Sequence, residues 1–191
     1  MAIKSTETQR GGMAKLLHWL MALAIIGNGI FGLVMVEMPR GMGKLNAFAL
    51  HKSIGLTVLA LLLLRISWRW FDRKPRDEPM PRWQRIAAHL THVVLYLFML
   101  ALPLSGWIMN SLHGYPLQFF KLFNLPALAE KNEDLSELAE TAHETLFWVL
   151  LLVVIAHAGA ALVHHLFERD NTLLRMLPFA RLRQRKSGDS P

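Results

Sequence analysis

The chain of 191 residues contains no cysteine. That absence excludes a disulfide framework, a thiolate metal site, an iron–sulfur cluster and haem attached through Cys-x-x-Cys-His. Charge is also scarce. Asp, Glu, Lys and Arg make up 18% of the chain, whereas an ordinary soluble domain carries about 25%. What is abundant is apolar: 53% of residues are hydrophobic and the mean hydropathy is +0.29. So apolar a chain is not disordered, and the balance points to a membrane protein. The net charge of +7 fits either nucleic acid or an anionic lipid surface, and the placement of the charges decides between them.

A membrane helix needs about 20 mostly apolar residues. Four runs qualify, and in lipid each must be helical because the backbone finds no water to bond. Residues 16–36 hold no Lys, Arg, Asp or Glu. Residues 45–68 are interrupted only by Lys52 and Arg65, near the two ends, where long basic side chains reach the interface. Residues 86–120 carry no formal charge, but Pro103 and the Gly114-Tyr115-Pro116 turn place the helix proper at about 87–109. The fourth run covers about 143–167. The expectation is an all-α, four-helix transmembrane bundle: one four-span unit over 1–178 and a basic tail over 179–191. The first run is too long, and lacks the small-residue site, for a cleaved signal peptide.

Of the 21 Lys and Arg residues, 16 fall on the side shared by the two chain ends and the second connection. Arg40, Lys44, Lys52, Lys121 and Lys131 fall on the other side. The positive-inside rule then puts both termini in the cytoplasm. The acids divide seven and seven, so the inside is +9 and the outside −2. The basic surplus reads as topology and attraction to anionic lipid. Nucleic acid is not an expected partner, because no motif of that class occurs. The segment 130–144 carries six acids and reads as a solvated amphipathic stretch; 171–177 reads as a short interfacial turn or helix.

Ionisable or coordinating residues inside spans are rare and usually functional. Eight of the nine His lie in or at the ends of the spans, His113 being the exception. His143 and His157 are 14 residues apart, about 40° short of four full turns and about 21 Å along the axis. Two ligands on one face at opposite depths suit two stacked cofactors better than one metal ion, which wants His three or four residues apart. Haem b needs no Cys and takes axial imidazoles from facing helices. His51 and His143 sit at matching outer depth and form the natural outer pair. For His157, the inner partner is open among His18, His89 and His92, and depth alone also permits a His18–His164 pair. Arg65 lies 14 residues after His51, at the inner depth, where it can pair with a haem propionate or reach lipid phosphate. Lys52 can do the same at the outer level. Gly29, Gly55 and the small residues after His157 can admit a porphyrin edge or let helices pack closely. A haem-free, His-rich metal-binding bundle is the reading from another class.

The pattern resembles the bacterial cytochrome b561 family, four-helix membrane proteins with two haems b. The resemblance covers about residues 17–178. It rests on His18-Trp19-Leu20, on His51 with Ser53 and Gly55, on Ala88-His89-Leu90-x-His92 and on Ala101-Leu102-Pro103. It continues through His143-Glu144-Thr145-Leu146, His157-Ala158, His164-His165 and Asp170-Asn171-Thr172-Leu173-Leu174-Arg175-Met176. It implies axial pairs His18 with His157 and His51 with His143, electron exchange with a quinone pool, and a place in the bacterial inner membrane. The most similar subgroup looks like superoxide oxidases, which pass electrons from periplasmic superoxide to ubiquinone. An anion-capturing mouth should be positive, yet here His113 stands where that subgroup carries Arg, and Glu140 precedes His143 by three residues. The rival within the family is a haem b subunit linking quinol to a periplasmic redox partner, docked on the acidic 130–144 segment. His89 and His92 are expected to contact quinone or a propionate, or to bond a neighbouring helix.

Overall fold

The computed structural model describes residues 2–183. The end of the basic tail, with Arg185 and Lys186, lies outside the described residues. Four helices dominate: α1 (Gly12–Glu37), α2 (Met42–Phe71), α3 (Arg82–Leu112) and α4 (Glu133–Val163). All are long and apolar enough to cross a membrane. The shortest has 26 residues, about 39 Å of helix against a hydrocarbon core of about 30 Å. Short connections make sequence neighbours antiparallel. α1 packs on α2, α2 on α3 and α3 on α4, so the start of α1 and the end of α4 lie at one end of the bundle.

The burial pattern is that of a bundle in lipid. Leu17, Met21, Val58, Leu62 and Leu150 are buried between helices, while Leu23, Ile30, Leu63, Leu97, Leu152 and Ile155 are exposed on the outside. A monomer in water rarely shows so much contiguous apolar surface. Helix ends follow local chemistry. Pro39 and Gly41, the latter at φ 155, break the chain between α1 and α2. Gly114 at φ 75 takes the left-handed position just past α3. At the start of α4 the Asn132 side chain accepts from Leu135 N at 3.0 Å, and Glu133 and Asp134 occupy the first turn, where negative charge is favoured.

That cap changes the expected boundary of the fourth span. α4 begins at Glu133, ten residues before the expected 143, so most of the acidic segment 130–144 is helix projecting beyond the apolar run. α3 likewise runs through Pro103 to Leu112, as membrane helices tolerate a proline where other groups can take up the freed backbone carbonyl. Beyond Val163 the helix continues as a π-helical turn, His164–Glu168, stopped by Arg169 at φ 54. The α3–α4 connection contains a small antiparallel ribbon, β1 (Leu117–Phe119) and β2 (Phe123–Leu125). Its turn places Phe120 and Lys121 at positive φ, and the Ser53 hydroxyl of α2 pins it by accepting from Phe120 N at 2.9 Å.

At the end carrying the termini, three segments are knitted together. Ser5 N and Oγ donate to the Asp72 carboxylate at 2.7 and 2.6 Å. Glu7 pairs with Arg76 at 3.2 Å, and Glu78 with Arg175 at 2.8 Å. Lys15 Nζ and Trp19 Nε1 donate to the carbonyls of Leu177 and Met176 at 3.0 and 2.8 Å. The turn fits only around Gly11, where a Cβ would collide with the Ile3 carbonyl.

Candidate functional site

Each helix carries one pair of residues 14 apart in sequence: His18 and Gly32, His51 and Arg65, His92 and Gly106, His143 and His157; all but the exposed His92 are half-buried. Fourteen residues return a helix to nearly the same face, about 21 Å further on. Neighbours run antiparallel, so one residue from every helix meets at each of two levels. The inner level, at the end carrying the termini, gathers His18, Arg65, His92 and His157. The outer level gathers Gly32, His51, Gly106 and His143.

At the outer level the His51 and His143 ring centres are 6.4 Å apart, with planes at 84°. Each imidazole lies against a glycine of the adjacent helix. A Cβ on Gly32 would meet His51 Cε1 at 3.1 Å, and one on Gly106 would meet His143 Cε1 at 3.0 Å. Ser105 Oγ lies 2.9 Å from His143 Nδ1 and donates to Leu102 O at 2.8 Å. Lys52 Nζ donates to Asn110 Oδ1 at 2.8 Å, and Asn110 Nδ2 donates to Tyr115 O at 2.8 Å. Beyond them a cleft of about 560 Å³ opens between the end of α3 and residues 125–131, with Tyr115, Glu130 and Lys131 at its wall. Lys131 is already paired with Glu133 at 3.0 Å. His113 turns back to Met109 O at 2.9 Å and stacks on Tyr115.

At the inner level the His18 and His157 ring centres are 6.3 Å apart, and His92 lies 5.2 Å from His157. Arg65 reaches His18 Nδ1 at 3.2 Å and Tyr96 Oη at 3.1 Å. Arg69 donates to the same phenol oxygen at 3.3 Å. Arg10 joins this basic group from outside the helices. Burial, then the charge of Arg69, hold its guanidinium below the ordinary value, and Asp72 opposes the shift.

The structure brings His18, and not His164, beside His157. α1 starts four residues before the apolar run, at Gly12. His164 faces elsewhere: its Nδ1 lies 2.7 Å from Asp170 Oδ2 and 2.9 Å from Glu168 Oε2. His89 is exposed on α3 and joins neither level. Of the two readings of the glycines, close helix packing is the one that fits Gly29 and Gly55. The space beside Gly29 is filled by the Phe147 ring, 2.7 Å from a would-be Cβ, and Gly55 faces Asn28. Sequence reasoning passed over Gly32, Gly106, Ser105 and Tyr96. The 14-residue interval from His18 and from His92 would have found the two glycines.

Against this geometry stand three relatives and one family profile. The profile described as prokaryotic cytochrome b561 matches residues 9–179. The chain belongs to the prokaryotic cytochrome b561 family. Cytochrome b561 homolog 2 of Escherichia coli K12 is 32% identical over 181 residues, 93% of this chain and 95% of that protein. Cytochrome b561 homolog 1 of the same organism is 34% identical over 165 residues, 85% and 93% of the two chains. A Yersinia pestis protein named "Probable superoxide oxidase CybB" is 32% identical over 167 residues, 85% and 92% of the two. The chain is therefore a multi-pass membrane electron-transfer protein of a haem b family.

The donor set of this cytochrome b561 protein fits such a group. A metal–imidazole nitrogen bond is about 2.0–2.1 Å, so two imidazoles on opposite sides of one ion have ring centres about 6.4 Å apart. The His18–His157 and His51–His143 spacings are 6.3 and 6.4 Å. His92 and His157, at 5.2 Å, are too close to hold an ion between them in that way.

Proposed function

We propose that this protein carries electrons across the bacterial inner membrane through two haems b, from superoxide outside to ubiquinone in the bilayer. His18 and His157 hold the inner haem; His51 and His143 hold the outer. The observation that carries this reading is the equal spacing of two imidazole pairs on two levels of one helix, 6.3 and 6.4 Å. When bound, such groups supply reversible one-electron transfer. The basic surplus supports a cytoplasmic position for the end carrying both termini. Two superoxide anions each give up one electron and leave as dioxygen; one ubiquinone takes both electrons and two protons.

The protein groups have distinct tasks. Ligation through His18 Nε2 needs the proton on Nδ1. A guanidinium only donates, so Arg65, which lies 3.2 Å from His18 Nδ1, would serve a bound haem better as a partner for a propionate. Lys52 has two donors beyond its bond to Asn110, enough for a carboxylate at the outer level. His92 donates from Nδ1 to Ala88 O at 2.6 Å; its Nε2 keeps a lone pair, which suits a quinol hydroxyl. The name of the Yersinia pestis relative supports superoxide as donor. A specific observation favours a second reading, a haem b subunit exchanging electrons between quinol and a basic periplasmic partner. Lys131 is neutralised by Glu133, and the projecting start of α4 carries Glu133, Asp134, Glu137, Glu140 and Glu144.

A reduced-minus-oxidised spectrum of the purified protein tests the haems; absence of b-type bands leaves only a haem-free metal-binding bundle. Stopped-flow haem reduction by pulsed superoxide, at low and high salt, tests the donor. Fast reduction that slows with salt is the expected result. A slow, salt-independent rate transfers the protein to the second reading.

A further inference from the structure

The two outer imidazoles are not equivalent. His51 Nδ1 is buried without a side-chain partner, and its ring lies beside the backbone of Asn28. His143 Nδ1 faces Ser105 Oγ at 2.9 Å. The proton positions follow from the third member of the contact. Ser105 Oγ is 2.8 Å from Leu102 O, and a carbonyl only accepts. The single hydroxyl proton therefore goes to Leu102, and an oxygen lone pair faces His143. Nδ1–H of His143 donates to it, which leaves the Nε2 lone pair for a metal. Ser105 and Gly106 are consecutive on α3, so one residue holds the ring by a hydrogen bond and the next leaves room for it, since a Cβ there would meet Cε1 at 3.0 Å.

We infer that Ser105 is a positioning residue that sets the reduction potential of the outer cofactor through His143. The inference rests on the two-haem reading and adds to it a difference between the levels. An acceptor on the distal N–H of a ligand imidazole raises the ligand's basicity and fixes its orientation. A more basic ligand stabilises the ferric over the ferrous state, so the potential falls. The outer level thus holds its electron less tightly than it would without the Ser105 acceptor. At the inner level Arg65, Arg69 and Arg10 put positive charge beside the ligands, which favours the reduced state. Both effects drive electrons from the outer level to the inner.

The test is equilibrium reduction of the purified haem-loaded protein at stepped potentials, followed by its b-type absorbance, for wild type, Ser105→Ala and Ser105→Thr. His51→Ala, which leaves the inner haem alone, assigns the two components. In Ser105→Ala the outer component is expected to be more readily reduced, by tenfold or more in ferrous-to-ferric ratio at fixed potential, which is 59 mV for one electron. The inner component should not move. Ser105→Thr, which keeps a hydroxyl, should restore the wild-type value. An outer potential unchanged in Ser105→Ala, with both haems present, overturns the role of Ser105. If Ser105→Ala loses the outer haem, its return at wild-type potential in Ser105→Thr supports the role, and failure to return overturns it. Wild-type protein without two b-type components would instead overturn the two-haem reading.

Discussion

Replacing Gly106 by Ala puts the two-level arrangement under direct strain. The new Cβ would stand 3.0 Å from His143 Cε1 and 3.4 Å from Nδ1. Carbon pairs prefer about 3.5–4.0 Å, so the ring must retreat by about 0.5 Å or more. It is not free to do so. Ser105 on the same helix holds Nδ1 at 2.9 Å, and a retreat of that size stretches the bond to the limit of about 3.2 Å or past it. A metal ligand tolerates displacements of only about 0.2 Å. Global stability should change little, because the helix gains about 1 kcal/mol from Gly to Ala while overpacking costs about 1–3 kcal/mol. Haem content is the sensitive readout. Gly106→Ala should lose the outer haem and keep the inner, read as the haem-to-protein ratio of the purified protein. The control is Gly159→Ala on α4, two residues past His157, where a Cβ meets nothing within 4 Å. It should keep both haems and gain up to about 1 kcal/mol. Gly106→Ala with both haems at wild-type potentials would refute the reasoning, as would loss of a haem in Gly159→Ala.

Two further outcomes separate the residues at the other end. His157→Ala should lose the inner haem and keep the outer in the optical spectrum, whereas His164→Ala should keep both, since His164 bonds Asp170 and Glu168; retention of both haems in His157→Ala would remove it from the site. Gly11→Ala forces a Cβ against Ile3 O and should cost about 1–3 kcal/mol, seen as a lower Tm and faster proteolysis before residue 11, with both haems still bound.

The depth problem shows where sequence reasoning stops. Period and charge alone place His143 and His157 on one face, because a helix repeats every 3.6 residues whatever surrounds it. Relative depth between helices has no such rule. It depends on where each helix starts, and those starts are set by Gly11, which lets the N-terminal turn fold back, and by the Asn132 cap. The acidic stretch after Asn132 is largely solvent-exposed, as its composition suggests, and it is also helical because the Asn132 cap starts α4 there. His164 looks equivalent to His157 until the π-helical turn and Asp170 take its ring away.

By itself, the sequence determined the span count, the all-α class, the non-covalent character of any haem and the 14-residue interval on α4. These follow from local rules: apolar length, the absence of cysteine, and helical repeat. Tertiary structure alone decided which residues meet at each level. It set Gly32 and Gly106 against the outer imidazoles, gave His143 a hydroxyl acceptor and left His51 without one. Those contacts join residues of different helices. Their chemistry comes from the antiparallel register of the bundle, which no single helix encodes.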